Sequence, residues 1–226
     1  MPDPAWRVLA LAGAAIARSR LNVEINDPDR LPASGPVIVA ARHFHHLYDG
    51  CVLLSTIRRP AHIVVGLDWV RHPMGRVVMQ AACRAANWPV IYRPDSPYGL
   101  LPGARARLYR AVRESLALLR AGRNVILFPE GYPNIDPGLT PKLTEADFLP
   151  FRAGAVRLAL LAANRGLLVP IIPTGLSYTP GNKWTVRVQF GEAFVVQPGA
   201  SKTDIARVVT ELQQRVRELS CVPPAV

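Results

Sequence analysis

An apolar run, Pro36–Ala41, breaks off at three histidines and an aspartate within the stretch GPVIVAARHFHHLYDG, Gly35–Gly50. The run has the length of a buried strand, and Leu47–Ile57 behind it reads as a largely apolar helix. This stretch therefore commits the chain to a strand, a turn and a helix, with the histidines at the strand's carboxyl end. In open α/β sheets, that edge is where ligands bind. An imidazole takes a proton near neutral pH, and a neighbouring carboxylate fixes its tautomer and stabilises its charged form. His43, His45 and His46 are candidate bases, and Asp49 is the candidate orienting group. The same residues admit two other readings. Neighbouring histidines can cap a helix or sit satisfied at a surface, and three His with one Asp can hold zinc or non-haem iron. No Cys pair or Glu-x-x-His element supports a metal, so neither a metal nor another cofactor is expected.

The rest of the chain repeats the alternation. Trp6–Ala17 is an apolar helix, and Leu21–Pro36 is polar and turn-rich before the first core strand. Ala61–Gly66 reads as a second buried strand, with His62 as a core or edge residue. His72 is a loop residue, and Pro73 opens a helix reaching about Ala86. Trp88–Tyr92 is a third strand and ends at Arg93. Gly103–Arg120 is a helix with Leu108, Val112, Leu116 and Leu119 on one face. Val125–Phe128 is a strand running into Pro129-Glu130-Gly131, a tight loop at the same sheet edge as the histidines. Tyr132–Leu149 is irregular, and is either a substrate-covering loop or a mobile excursion. Phe151–Asn164 is helical, and the prolines of the strand Leu168–Thr174 imply an edge or a strand end. Trp184–Phe190 alternates as a half-exposed strand, and Ser201 caps a final helix reaching about Leu219. The pattern predicts a single α/β domain with a mixed, largely parallel central sheet flanked by helices. Residues 1–20 form an N-terminal helix ahead of a domain spanning 21–226.

Charge narrows the partners. Against 16 Asp plus Glu stand 27 Lys plus Arg, a formal net charge of +11. Since Lys142, Lys183 and Lys202 are the only lysines, the excess is arginine, which suits bidentate phosphate contacts. Such a surface attracts anionic lipid, nucleic acid or a phosphorylated substrate. No nucleic-acid-binding motif accompanies it, so no nucleic-acid partner is expected. Cys51, Cys83 and Cys221 have neither metal nor redox spacing, which fits a reducing cytoplasm. The N-terminal apolar segment is about half the length of a spanning helix. Flanked by Arg7, Arg18 and Arg20, it either lies in a membrane interface as an amphipathic anchor or packs on the domain.

Four segments in order resemble the glycerolipid acyltransferase family, most closely bacterial 1-acylglycerol-3-phosphate acyltransferases, over roughly Gly35–Val196. The family's first motif, a His and an Asp after a strand, resembles Arg42-His43 leading to Asp49-Gly50. Its second is similar to Ile91-Tyr92-Arg93, its third is intact as Phe128-Pro129-Glu130-Gly131, and its fourth resembles Val169-Pro170-Ile171-Ile172. The family places four residues between His and Asp. His43 has five before Asp49 and His45 has three. GPVIVAARH matches the family's approach without a gap, which favours His43, while His45 would share a helix face with Asp49 if the helix began early. The family's Thr-Arg after the third motif is Tyr132-Pro133 here.

The resemblance implies an acyltransferase that moves a fatty acyl group from an acyl thioester, on CoA or acyl carrier protein, directly to the hydroxyl of lysophosphatidic acid. His43 or His45 would be the base with Asp49 as its partner. Arg93, Glu130 and Gly131 would serve the acceptor, with Arg152 replacing the missing arginine. The altered third motif leaves another lysolipid or alcohol as an alternative acceptor, and the altered spacing leaves a catalytically silent, membrane-binding basic protein as a further reading. A lysophospholipid acceptor and an anionic membrane surface are the expected partners, at the cytoplasmic face of the membrane.

Overall fold

In the computed structural model, which describes residues 4–70, 72–96, 98–100, 102–136 and 140–220, the Pro36–Ala41 run supplies an inner strand of a six-stranded sheet. The elements are α1 (Pro4–Arg20), β1 (Leu21–Asn26), β2 (Ile38–Ala41), α2 (Tyr48–Thr56), β3 (Ala61–Ile63), β4 (Val65–Gly66), α3 (Pro73–Ala85), β5 (Val90–Ile91), α4 (Ala104–Arg120), β6 (Asn124–Leu127), α5 (Gly154–Ala163), β7 (Ile171–Thr179), β8 (Trp184–Phe190) and α6 (Lys202–Ser220). The sheet order is β1-β8-β7-β2-β6-β3, and all neighbours run parallel except β7 and β8. The single α/β domain with a mixed, largely parallel sheet is thus the observed fold.

Both faces of the sheet are covered, so β2 is apolar at every position. Its period-two alternation divides the core. Val39 and Ala41 pack with Val52, Leu53 and Ile57 of the α2 region, whereas Ile38 and Ala40 pack with Leu116 of α4, Ala159 of α5 and Leu212 of α6. Because β2, β6 and β7 are parallel neighbours, their carboxyl ends deliver His43, Glu130 and Tyr178 to one edge.

Several elements differ from the sequence expectation. Leu21–Asn26 is an edge strand pairing in parallel with β8, disguised by the solvent-facing Asn22, Glu24 and Asn26. The run Ala61–Gly66 divides: β3 joins the main sheet, while Val65–Gly66 turns away to pair with Val90–Ile91 in a separate two-stranded sheet. That pairing removes the 88–92 segment from the main sheet. β7 is nine residues long and lies between β8 and β2 rather than at an edge. Pro173 is tolerated because its missing N–H falls where the β8 ladder ends, and its carbonyl still accepts from Gly191. In α4, Leu108 is 49 % exposed and the buried face is made by Ala111, Ser115, Leu116 and Leu119. His62 is a core residue, its Nδ1 3.2 Å from the Ala86 carbonyl. Cys221 lies outside the described residues.

α1 packs through Ala17 into the cluster formed with α2, while its Val8 and Leu11 face outward. Among the described residues, no helix is long and apolar enough to cross a membrane. At the other end of the chain, α6 closes on the sheet at Gly175 of β7. Any side chain there would overlap the backbone carbonyl of Leu219, so the helix would have to lift. Gly175→Ala is expected to cost about 1–3 kcal/mol through this overpacking, read as a lower urea midpoint with an unchanged slope.

Candidate active site

The Asp49 side chain is fully buried in the first turn of α2, and its carboxylate is saturated. Oδ2 accepts the backbone N–H of Phe44 at 2.7 Å and of His45 at 3.0 Å, and lies 2.8 Å from Nδ1 of His43. Oδ1 accepts the Tyr178 hydroxyl at 2.6 Å. A carboxylate is an acceptor, so it holds His43 with Nδ1–H donating, which leaves Nε2 facing away to exchange a proton. The His43 ring stacks on Phe128, with centroids 4.2 Å apart, so it is held in plane as well as in tautomer. Burial, reinforced by the Asp49 charge, pushes the Tyr178 phenol well above its ordinary value and keeps it a donor.

The residue in excess of the family spacing is absorbed by an early helical turn. Asp49 N bonds the His45 carbonyl at 3.3 Å, so the backbone does begin to coil at His45. Its imidazole, however, turns along the helix end, where Nδ1 accepts from the N–H groups of Leu47 at 3.2 Å and Tyr48 at 3.3 Å. The ring stacks between His46 and Tyr48. His45 thus meets Asp49 through its backbone, while His46 bonds the Ile135 carbonyl through Nδ1 at 3.2 Å.

Glu130 is buried one strand away and grips the other side of His43. Its Oε1 accepts the His43 N–H at 2.9 Å, and its Oε2 accepts Leu149 N at 3.1 Å and lies 2.6 Å from Nζ of Lys142. Lys142 is itself buried and donates to the His43 carbonyl at 2.8 Å and to Asn134 Oδ1 at 3.0 Å. Burial lowers its pKa from the ordinary 10.5, against the pull of Glu130. The irregular stretch after Tyr132 is therefore tied to the His43 peptide: Lys142 anchors it from within and Asn134 ties Thr144, Glu145 and Asp147 carbonyls together.

Arg93 reaches the same edge from the end of β5. Its Nε is ion-paired with Asp68, its guanidinium donates to the Gly131 carbonyl at 3.0 Å and it lies over the Tyr132 ring at 3.7 Å. Gly131 has φ +78°, and a Cβ there would press on Nε of Arg152 at 3.3 Å. Arg152 pairs with Asp95 at 2.8 Å in a half-exposed bridge. The sequence marks Arg93, Arg152 and Glu130, but not Asp68, Lys142, Tyr178 or Asn134. Each of those lies outside a recognisable motif; the signals available were an aspartate shortly after β4 and one of three lysines within the Pro-rich loop.

His43 and Arg93 open on a cavity of about 410 Å³, otherwise lined largely by apolar groups including Leu9 and Ile16 of α1, Leu54 of α2, Trp69, Met79 and Phe128. The Asp49-bonded histidine thus sits at the wall of an oily chamber, with polar groups gathered at one end.

A family model described as Acyltransferase matches residues 22–177, from β1 into β7. The chain belongs to that family and is an acyltransferase. Among solved structures, the 1-acyl-sn-glycerophosphate (LPA) acyltransferase PlsC from Thermotoga maritima is similar at 19 % identity and a TM-score of 0.61, covering 96 % of this chain and 81 % of its own. That likeness is one of fold. No curated protein matches the sequence.

Two outcomes check the geometry. Lys142→Met leaves Glu130 charged and buried without its cation, so it should cost about 3–5 kcal/mol in chemical denaturation, and adding Glu130→Gln should recover part of that loss. Burial, with His46 as the next contributor, holds the His45 pKa below the ordinary 6.5. An NMR titration should place its midpoint below that value. The unfolded chain then binds this proton more tightly than the folded one, so His45 contributes a loss of stability as pH falls below about 6.5.

Proposed function

We propose that this acyltransferase moves a fatty acyl group from an acyl thioester, on CoA or acyl carrier protein, to the hydroxyl of lysophosphatidic acid, with His43 as general base. The observation that carries the reading is the Asp49–His43 pair at the wall of an apolar cavity. An alcohol is far too weak an acid to ionise at neutral pH, so Nε2 of His43 removes its proton as the oxygen attacks the thioester carbonyl. Asp49 stabilises the imidazolium. Collapse of the tetrahedral intermediate breaks the carbon–sulfur bond, and the leaving thiolate takes the proton from His43. No enzyme nucleophile and no cofactor enters the scheme.

The cavity walls suit the acyl chain, while Arg93 and Gly131 form the polar end that would receive the acceptor headgroup, with Arg152 behind. Glu130 bonds the His43 peptide, so its role is positioning the base rather than holding phosphate. His45 acts as a cap of α2. A second acceptor reading has its own support. Arg93 is paired with Asp68 and Arg152 with Asp95, so a phosphomonoester must compete with two carboxylates for its cations. Another lysolipid or an alcohol, with less negative charge, avoids that competition.

The acceptor would arrive from a membrane surface. Val8 and Leu11 of α1 and Met74, Val77 and Val78 of α3 are exposed apolar groups on the two helices that also line the cavity. With the surplus of arginine, they suit peripheral attachment to anionic lipid at the cytoplasmic face.

Free-thiol release from a long-chain acyl-CoA or acyl carrier protein, with lysophosphatidic acid, a lysophosphodiester or a long-chain alcohol, tests the reading. Release is expected to require an acceptor, and the preferred acceptor separates the two readings. His43→Ala should lower kcat by about 10²–10⁴. His45→Ala should retain turnover and lose about 0.5–2 kcal/mol of stability, the scale of a lost helix cap. Equal damage from both variants, or release indifferent to acceptor across the panel, would contradict the assignment.

A further inference from the structure

The positive charge that is paired around the His43 cavity reappears in excess in a second cavity. This one has about 600 Å³ and is walled by α3, α4 and the 88–92 segment that β4 draws out of the main sheet. Arg84 enters it from α3, Arg107 and Arg110 from α4, and Arg123 from the turn before β6, against Glu114 as the one lining acid. Among the described residues, Arg84, Arg107 and Arg110 form no ion pair, unlike Arg93 and Arg152. The Nε of Arg107 is buried without a hydrogen-bond partner, while its guanidinium lies 5.3 Å from the Tyr92 ring. The buried Arg107 donor is unfavourable unless an acceptor completes it, and the exposed Arg84 and Arg110 add two cations free to join it on an anion.

The rest of the lining says what kind of anion. Trp88 and Tyr92 offer aromatic surface, and Gln80, which donates to the Tyr92 hydroxyl at 2.7 Å, offers an amide. The volume lies within the range of small-molecule sites and far exceeds what a bare phosphate fills. Flat aromatic groups stack on such side chains, and arginine binds phosphate oxygens in pairs. We infer that this cavity is a binding site for a phosphorylated aromatic anion of the nucleotide type, its phosphates held by Arg84, Arg107 and Arg110 and its ring against Trp88 or Tyr92.

Two sources carry that chemistry. One is the nucleotide end of an acyl-CoA donor. Trp88 lines both cavities, and the segment it begins ends at Arg93 beside His43, so a long flexible arm passing Trp88 would lead toward the base. The other is a free nucleotide in solution. The first source rests on the acyl-thioester reading proposed above, whereas the site itself does not.

Calorimetric titration with adenosine 3′,5′-bisphosphate measures the site without turnover, so a failed acyltransferase assay leaves its result intact. The intact protein is expected to bind the bisphosphate more tightly than inorganic phosphate. An Arg107→Ala/Arg110→Ala double variant should weaken binding by about tenfold or more, the scale of lost charge-assisted bonds. Arg84→Glu, at an exposed position, provides the same test where the double variant is destabilised. Displacement by unacylated CoA at a lower concentration than by ATP assigns the site to the donor, and displacement by ATP at a lower concentration than by CoA assigns it to a free nucleotide. No binding at millimolar concentration, undiminished binding in both variants, or equal affinity for inorganic phosphate would overturn the inference.

Discussion

A buried carboxylate is unfavourable unless every lone pair finds a donor, and Asp49 meets that demand with groups from two parts of the fold. Phe44 and His45 present backbone N–H groups from the exit of β2, His43 presents its ring, and Tyr178 reaches across from β7. The orientation of the base is therefore inherited from the parallel register of β2 and β7. Asp49 also lies in the first turn of α2, where the helix dipole favours negative charge. Glu130 does the same work from β6, accepting the His43 N–H while its partner Lys142 donates to the His43 carbonyl. The His43 peptide is clamped on both sides by the fold itself.

Much of this could be read from the amino-acid order, because the elements concerned have local signals. The strand before His43, the helix after it and the Phe128–Gly131 loop are contiguous, with period-two or helical patterns and Pro-Gly punctuation. The edge strand Leu21–Asn26 was hidden because half its side chains are polar and face solvent. Pro173 was misleading for the opposite reason: proline argues against an inner strand, and only the end of the β8 ladder explains its place. The helper residues were invisible on physical grounds. Tyr178 is 129 positions from Asp49 and Lys142 is 99 from His43, and no local pattern reports contacts made through a sheet. The choice between His43 and His45 turns on a ring rotation, which spacing alone does not encode.

The distribution of charge gives the two cavities different characters. Around the one that His43 lines, three cations are matched: Lys142 by Glu130, Arg93 by Asp68, Arg152 by Asp95. This pairing organises the edge of the sheet but reduces the net field offered to an incoming headgroup. In the cavity between α3 and α4, Arg84, Arg107 and Arg110 stand, among the described residues, without carboxylate partners. A net charge of +11 is thus not spread evenly but withheld from one site and offered at another.

The central claim is that Asp49 fixes the neutral His43 ring with its proton on Nδ1, leaving Nε2 to accept one. Long-range ¹⁵N–¹H correlation of histidine-labelled protein, recorded where imidazole is neutral, reads that tautomer directly. The account predicts an Nδ1–H signal for His43, with Nε2 shifted as an unprotonated nitrogen, and loss of that preference in Asp49→Asn. An Nε2–H tautomer in the unaltered protein would contradict it, because the nitrogen facing the cavity would then already carry the proton it is meant to receive.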